Sequence, residues 1–262
     1  MNSSVPLSVA IITMNAAGKL PNCLQSVAFA DQIVVVDSGS QDDTVAIAAA
    51  FGCDIFSEDW RGFGPQKQMA VDQCRNEWVL ILDADERIPP ETAAVIIGIV
   101  CRPEPSVSYS FPRKNYFQGR WIRHAGWWPD RVIRLFRKDQ GRMTAVSVHE
   151  AVAVDNGVVA LTVPIEHNTE SNLSELLRKI DRYSTLGAQE AFAAGRRSSV
   201  WGAAVRAALV FFHGYLIRLG FLDGRQGFTL AMADAVNKYF KYAKLSELSR
   251  KAQYPGIEKG AL

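Results

Sequence analysis

Residues 77–86 read Glu-Trp-Val-Leu-Ile-Leu-Asp-Ala-Asp-Glu, an unbroken apolar run from Trp78 to Leu82 that stops at a pair of carboxylates. An apolar run without alternation is the pattern of a strand covered on both faces, not of one with a wet side. In extended backbone, residues two apart point to the same side, so Asp83 and Asp85 can face one cation beyond the strand end. A hard cation such as Mg2+ or Mn2+ takes a few carboxylates together with phosphate oxygens of a ligand.

Upstream the same pattern repeats. Leu7–Thr13, Gln32–Asp37 and Cys53–Phe56 are short apolar runs. Stretches of helical character follow them: one around Leu20, Leu24 and Val27, then Asp42–Phe51, then Pro65–Cys74, with Pro89–Val100 after the fourth run. Strands alternating with helices of roughly 10–15 residues make βαβ units. The fold class is therefore α/β, a mostly parallel, Rossmann-like sheet flanked by helices. Ligands of such sheets bind beyond the carboxyl ends of the strands. The polar residues collect there: Thr13 and Asn15 after the first strand, Asp37 after the second, Glu58 and Asp59 after the third, Asp83 and Asp85 after the fourth. That edge is the expected active site.

From about residue 105 to 167 the chain changes character. Tyr109–Pro112, Arg131–Arg137 and Val158–Ile165 read as mixed strands joined by Gly-, Pro- and Trp-rich links. Beyond Ser171 it reads as helices over Leu173–Ala194, Val200–Phe221 and Phe228–Leu245. The expected division is a catalytic domain over 1–170 and a helical C-terminal extension over 171–262.

Charge divides at the same place. Residues 1–170 carry 15 Lys/Arg against 20 Asp/Glu, and residues 171–262 carry 14 against 7, so −5 and +7 make up the formal net charge of +2. A basic C-terminal third suits an anionic partner, or is a solvated helical face. The 48% hydrophobic content is ordinary for a packed domain and excludes a disordered chain. Cys23, Cys53, Cys74 and Cys101 form no CxxC pair, so they read as reduced thiols of a cytoplasmic protein. The first apolar run is too short for an export signal.

Within the second strand-to-helix link, Asp37-Ser38-Gly39-Ser40 provides a tight turn with a carboxylate placed to accept hydrogen bonds from a base or ribose. His149-Glu150 is a second constellation: imidazole can complete a metal site, and the adjacent carboxylate can take a proton. Asp130, in Trp127-Trp128-Pro129-Asp130-Arg131, is the competing base. Arg131 and Arg134 either lie over a diphosphate, which guanidinium suits, or point outward from their strand.

Taken together, VAIITMN (9–15), IVVVDSGSQDDT (33–44), Gly64-Pro65-Gln66-Lys67 and VLILDADE (79–86) resemble the family 2 glycosyltransferases, inverting enzymes of the GT-A fold. The likeness is strongest to those of bacterial lipopolysaccharide core synthesis and extends through WWPDR, the Val148-His149-Glu150 segment and the C-terminal helices. It implies a UDP-sugar donor and a divalent cation, Mg2+ or Mn2+. Thr13, Asn15 and Asp37 would hold the uridine. Gln66 and Lys67 would contact the nucleotide sugar, though Lys67 also fits a solvated helix position. Asp83 would touch ribose or metal, Asp85 would be the principal metal ligand, and His149 the third. Ala16 departs from the pattern, since a glutamate commonly follows the asparagine, so that contact is missing or supplied elsewhere.

The implied reaction moves a hexose, glucose from UDP-glucose, onto a lipid-linked or lipopolysaccharide core saccharide with beta linkage. Glu150 would act as base and Asp130 would be the alternative. Rival classes are weaker. A nucleotidyltransferase needs a Gly-rich basic phosphate loop where this chain has TMNAAGKL (13–20), and a non-catalytic binding module needs no base. No nucleic-acid partner is expected. In Val200–Phe221, Arg206, His213 and Arg218 interrupt the apolar run and leave it short of a membrane span. Trp201, Val205, Ala208, Leu209, Phe212 and Leu216 recur at helical spacing. That stripe either packs on the catalytic domain or lies on an anionic membrane surface, at the inner face of the cytoplasmic membrane.

Overall fold

A computed structural model describes residues 4–102, 107–144, 151–155, 157–169 and 172–253. The chain forms two compact units, Met1–Tyr116 with Pro129–Thr169, and Phe117–Trp128 with Glu170–Leu262. A single cut near residue 170 therefore misses one excursion, 117–128, which belongs with the C-terminal helices.

In the first unit β1 (Val5–Thr13) lies between β2 (Ala30–Asp37) and β4 (Trp78–Asp83), parallel to both, and β3 (Asp54–Ser57) extends the parallel set beyond β2. Alternate residues of these strands feed two cores. Val9, Ile11, Val35, Leu80 and Leu82 pack with Leu20 and Leu24 of α1 (Leu20–Ser26), Ala48 of α2 (Thr44–Ala50) and Ile96 of α4 (Pro90–Val100). Ala10, Ile12, Val34, Val36, Val79 and Ile81 pack with Ala70 and Val71 of α3 (Phe63–Asp72) on the other face. Both faces are dry, which is why the strands read as continuous apolar runs. Each fully buried Ile or Leu contributes about 1.5–3 kcal/mol of hydrophobic stabilisation.

Beyond β4 come β5 (Glu86–Arg87), β6 (Ser108–Phe117), β7 (Arg120–Trp121), β8 (Asp130–Arg137), β9 (Gly141–Met143), β10 (Val152–Val154), β11 (Val158–Ala160) and β12 (Ile165–Asn168). The sheet order is β3-β2-β1-β4-β8-β6-β12-β5, with β8 antiparallel to β4 and β6 and with β12 parallel to β6. The run Val158–Ile165, expected as one strand, is two. Pro164 has no N–H for a ladder, and the chain re-registers there, from Val158 opposite Ser108 to Ile165 opposite Arg113. This register assembles the site: Asn115 lies opposite His167, Arg113 opposite Asp130, and His167 opposite Glu86.

In the second unit α7 (Gly224–Gln253) packs along α5 (Leu173–Ala193) and α6 (Val200–Phe212). Phe117 and Ile122 of the excursion join Leu176, Ile180 and Leu230 in its core. Buried Asp223 ties the excursion down, accepting from the backbone N–H groups of Arg123 and His124 at 3.2 and 2.9 Å. The helix expected to run to Phe221 instead passes at His213 into a π-helical turn ending at Ile217, and Leu219 then takes a left-handed φ of +59°. Val200–Ile217 is consequently one helical stretch of 18 residues with mean hydropathy 1.5, long and apolar enough to cross a membrane by length and composition alone. That corrects the expectation of too short a run: Arg206 is the only Asp, Glu, Lys or Arg within it, and Arg218 falls outside. Little of it is buried, and the expected stripe faces outward, with Trp201 83% and Leu209 64% exposed.

Candidate active site

The loops after β1 and β2 are built from each other. Asp37, nearly inaccessible, accepts from Thr13 Oγ1 at 2.8 Å, Ser40 Oγ at 2.5 Å, and the backbone N–H groups of Gly39 and Ser40 at 3.0 and 2.8 Å. Gly39 makes the turn possible with φ of +81°. Asn15, itself left-handed at +52°, accepts from the Gln41 N–H at 2.8 Å. The Ala16 N–H finds Thr44 Oγ1 at 2.8 Å, and the Ala17 N–H finds Asp42 Oδ2 at 3.1 Å, so Asp42 brings a carboxylate beside the position where Ala16 has none. Buried Gln66 braces the same edge, donating to Ser38 Oγ at 2.9 Å and the Glu58 carbonyl at 3.2 Å. Thr13, Asp37 and Gln66 thus shape these loops from beneath.

Past β4 the acidic motif enters a continuous charge network. Asp83 has a cation on each oxygen: Lys67 Nζ at 2.6 Å from Oδ1, and Arg134 Nη2 at 2.6 Å from Oδ2. Arg134 also reaches Glu86 Oε1 at 2.5 Å, while Glu86 Oε2 accepts the Asp83 N–H at 3.1 Å. Arg113 lies 3.4 Å from Glu86 and closes on Asp130 Oδ2 through Nε at 3.0 Å and Nη2 at 2.6 Å. Asn115 Nδ2 donates to the same Asp130 oxygen at 3.1 Å, and Asn115 Oδ1 meets His167 Nδ1 at 2.6 Å. His167 Nε2 faces Asp85 Oδ1 at 3.6 Å, with Lys19 Nζ 3.6 Å from Asp85 Oδ2.

Four carboxylates (Asp83, Asp85, Glu86, Asp130) are balanced by Lys19, Lys67, Arg113 and Arg134. Such balance is what permits charges to be buried. Burial works against ionising Asp83, but Lys67 and Arg134 outweigh it and hold that carboxyl well below its usual range. Burial opposes Asp85 too, and His167 with Lys19 overcomes it and lowers that carboxyl. Arg134 would be weakened as a base by burial, yet Glu86 and Asp83 raise it further and keep it charged. Three of the four thiols are poor nucleophiles: burial raises Cys23 well above its usual value, Cys53 to about 11 and Cys74 to about 12.

The structure thus gathers Lys67, Asp83, Asp85, Asp130 and Arg134 in one network. Arg131 is elsewhere, exposed and bonded to the Leu161 carbonyl at 2.9 Å. His149 and Glu150 lie outside the described residues. Among the described residues no three His, Cys, Asp or Glu gather as a ready-made metal cage, and Asp85 with His167 is a two-residue start. Glu86, Arg113, Asn115 and His167 were not singled out from sequence. His167 carried only a weak signal, a histidine two residues past a run that ends Val-Pro-Ile, with Glu166 between.

Carboxylates at the ends of parallel strands, met by buried cations from α3 and β8, mark the crevice where α/β folds bind ligands. The chain belongs to glycosyltransferase family 2, whose family model, "Glycosyl transferase family 2", matches residues 8–157, and it is a glycosyltransferase. It is 28% identical to the lipopolysaccharide core biosynthesis glycosyltransferase LpsC of Rhizobium meliloti (strain 1021), over 98% of both chains. Among solved structures it resembles TarS residues 1–349 of S. aureus in complex with UDP-GlcNAc, at 16% identity and TM-score 0.42, covering 95% of this chain and 92% of that one. Glucosyl-3-phosphoglycerate synthase of Mycobacterium tuberculosis, with Mn2+, UDP and glucosyl-3-phosphoglycerate, matches 44% of this chain and 45% of its own at 21% identity and TM-score 0.34.

Proposed function

We propose that the chain transfers a hexose from a UDP-sugar, with inversion, to a saccharide carried on a lipid or a lipopolysaccharide core, working at the inner face of the cytoplasmic membrane. The observation that carries the reading is the pairing of Lys67 and Arg134, both buried, on the first carboxylate of an Asp-Ala-Asp motif, with the second carboxylate left facing a histidine. Lys67 and Arg134 are fixed cations suited to the oxygens of a departing diphosphate. Thr13, Asn15 and Asp37 frame the loops that receive the uridine.

Asp85 and His167 fit a divalent cation, since a carboxylate oxygen and an imidazole nitrogen that face each other are both ligand types for Mn2+ or Mg2+. His149 is a further candidate on the sequence reading. The cation would supply Lewis-acid stabilisation of the charge left on the diphosphate. A single displacement needs one base and no enzyme nucleophile. Asp130 suits that role because Arg113 and Asn115 hold one oxygen, Oδ2, while Oδ1 takes no bond among the described residues. Glu150 is the other candidate.

The C-terminal unit supports the membrane part. Between Arg196 and Arg225 there are five arginines and one carboxylate, and that carboxylate, Asp223, is buried. The same stretch exposes ten large apolar side chains from Val200 to Leu222, including Phe212 at 55% and Ile217 at 72%. An apolar face ringed by cations suits an anionic bilayer surface. Such a surface would carry a lipid-linked acceptor.

The test is UDP release from a panel of UDP-sugars with Mn2+, with and without a lipopolysaccharide-core acceptor. Acceptor-stimulated release from one donor is expected. Binding of every donor without release, at any metal concentration, overturns the reading.

A further inference from the structure

We propose that Asn115 is a positioning residue that fixes His167 and Asp130 together, presenting a metal ligand and a general base in one rigid arrangement. The proposal rests on the assignment of Asp85 and His167 as cation ligands. Asn115 sits on β6, the strand flanked by both β8 and β12, and is almost fully buried.

The bonding pattern leaves little freedom. An ionised carboxylate only accepts, so the amide end facing Asp130 Oδ2 at 3.1 Å must be the N–H2 donor. The amide oxygen therefore faces His167 Nδ1 at 2.6 Å, and Nδ1 carries the hydrogen. In the neutral ring that puts the lone pair on Nε2, and Nε2 points at Asp85 Oδ1 across 3.6 Å. Without a cation a hydrogen on Nε2 favours the Asp85 carboxylate, as the lowering of that carboxyl by His167 reflects, and a divalent cation would take the place of that hydrogen. A hydrogen-bond partner on the far nitrogen is the usual device for holding a histidine ligand in its tautomer and rotamer. Here the device has a second arm, because the same amide shares Asp130 with Arg113.

The two arms can be cut separately. Asn115→Asp can still accept from His167 Nδ1, but it cannot donate to Asp130 and places a like charge beside it. Asn115→Leu removes both arms at similar volume. Mn2+ affinity of the full chain, measured by electron paramagnetic resonance without donor, should stay within about threefold for Asn115→Asp. It should fall on the order of 10–100-fold for Asn115→Leu, the usual cost of losing such an orienting partner. Turnover should fall in both, with Asn115→Asp losing kcat while KM for the UDP-sugar holds.

His167→Ala separates the proposal from the reading beneath it. If His167→Ala binds Mn2+ like the parent, the ligand assignment fails. If His167→Ala loses Mn2+ while Asn115→Leu keeps it, the assignment stands and the positioning role of Asn115 fails. Long-range 1H–15N spectra of the unsubstituted chain test the same point without any variant. They should show His167 hydrogenated at Nδ1, and a ring with a bare Nδ1 overturns the proposal.

Discussion

Lys67 Nζ stands 2.6 Å from Asp83 Oδ1, so the first carboxylate of the Asp-Ala-Asp motif is held by a buried ammonium before any ligand arrives. With Arg134 on its other oxygen, Asp83 is tied into the folded network, while the nearest charged partners of Asp85, Lys19 and His167, stand at 3.6 Å. The two aspartates should therefore fail differently. Asp83→Asn leaves two buried cations short of a partner, and breaking a buried pair costs about 3–5 kcal/mol. Asp85→Asn should abolish transfer with stability changed by less than about 1 kcal/mol, in the range of a partly exposed substitution. Urea unfolding of both variants decides it, and equal destabilisation would count against the division of roles.

Acid should expose the same network. The folded-state carboxyl of Asp83 lies well below its usual value, and that of Asp85 is also lowered. A depressed folded value contributes stability that is present above the unfolded value of about 4 and is lost as pH falls through the folded one. Unfolding midpoints in urea should therefore drop steeply below about pH 4. Asp83→Asn should flatten that acid limb. A variant as acid-sensitive as the parent would show the network is not its source.

Much of this was legible in sequence because it is local. The burial of both faces of β4 and the two-residue spacing of Asp83 and Asp85 are written in ten consecutive residues. The Ser-Gly turn after Asp37 needs only its own loop. What was missed depends on strand register across the second half of the sheet. Asn115 meets His167 because β6 pairs with β12, 52 positions later, and no periodicity announces that pairing. Glu86 stood directly after the motif but reads as a solvated residue until Arg134 and Arg113 arrive from β8 and β6. The end of α6 was misjudged for a different reason: helical spacing carries no sign of a π turn at His213.

The base should be separable by amide substitution. Asp130→Asn keeps the volume and can still accept from Arg113, so it should bind UDP-sugar normally and lose turnover by roughly 10²–10⁴-fold, the usual worth of a general base. Glu150→Gln is the parallel variant. If Glu150→Gln shows that loss and Asp130→Asn does not, proton abstraction belongs to Glu150, and Asp130 serves only to hold Arg113 and Asn115.

Membrane docking makes the last prediction, and the exposed face of Val200–Leu222 is where it is decided. Each Lys or Arg near an anionic surface contributes about 1 kcal/mol. The five arginines between 196 and 225, with no solvent-facing carboxylate among them, supply that attraction. Trp201 and Leu209 supply the apolar part at the opposite extreme of cost, since they are already exposed and their replacement removes little packing. The chain should sediment with vesicles containing phosphatidylglycerol and far less with phosphatidylcholine alone. Raising salt from 0.1 to 1 M shortens the screening length from about 10 to about 3 Å and should weaken the binding. The double variant Trp201→Ala, Leu209→Gln should bind several-fold less while hydrolysing free UDP-sugar at the parental rate. Resistance to high salt and alkaline carbonate would instead mean that Val200–Ile217 spans the bilayer. A salt-independent dimer that leaves vesicles untouched would assign the face to a second copy of the chain.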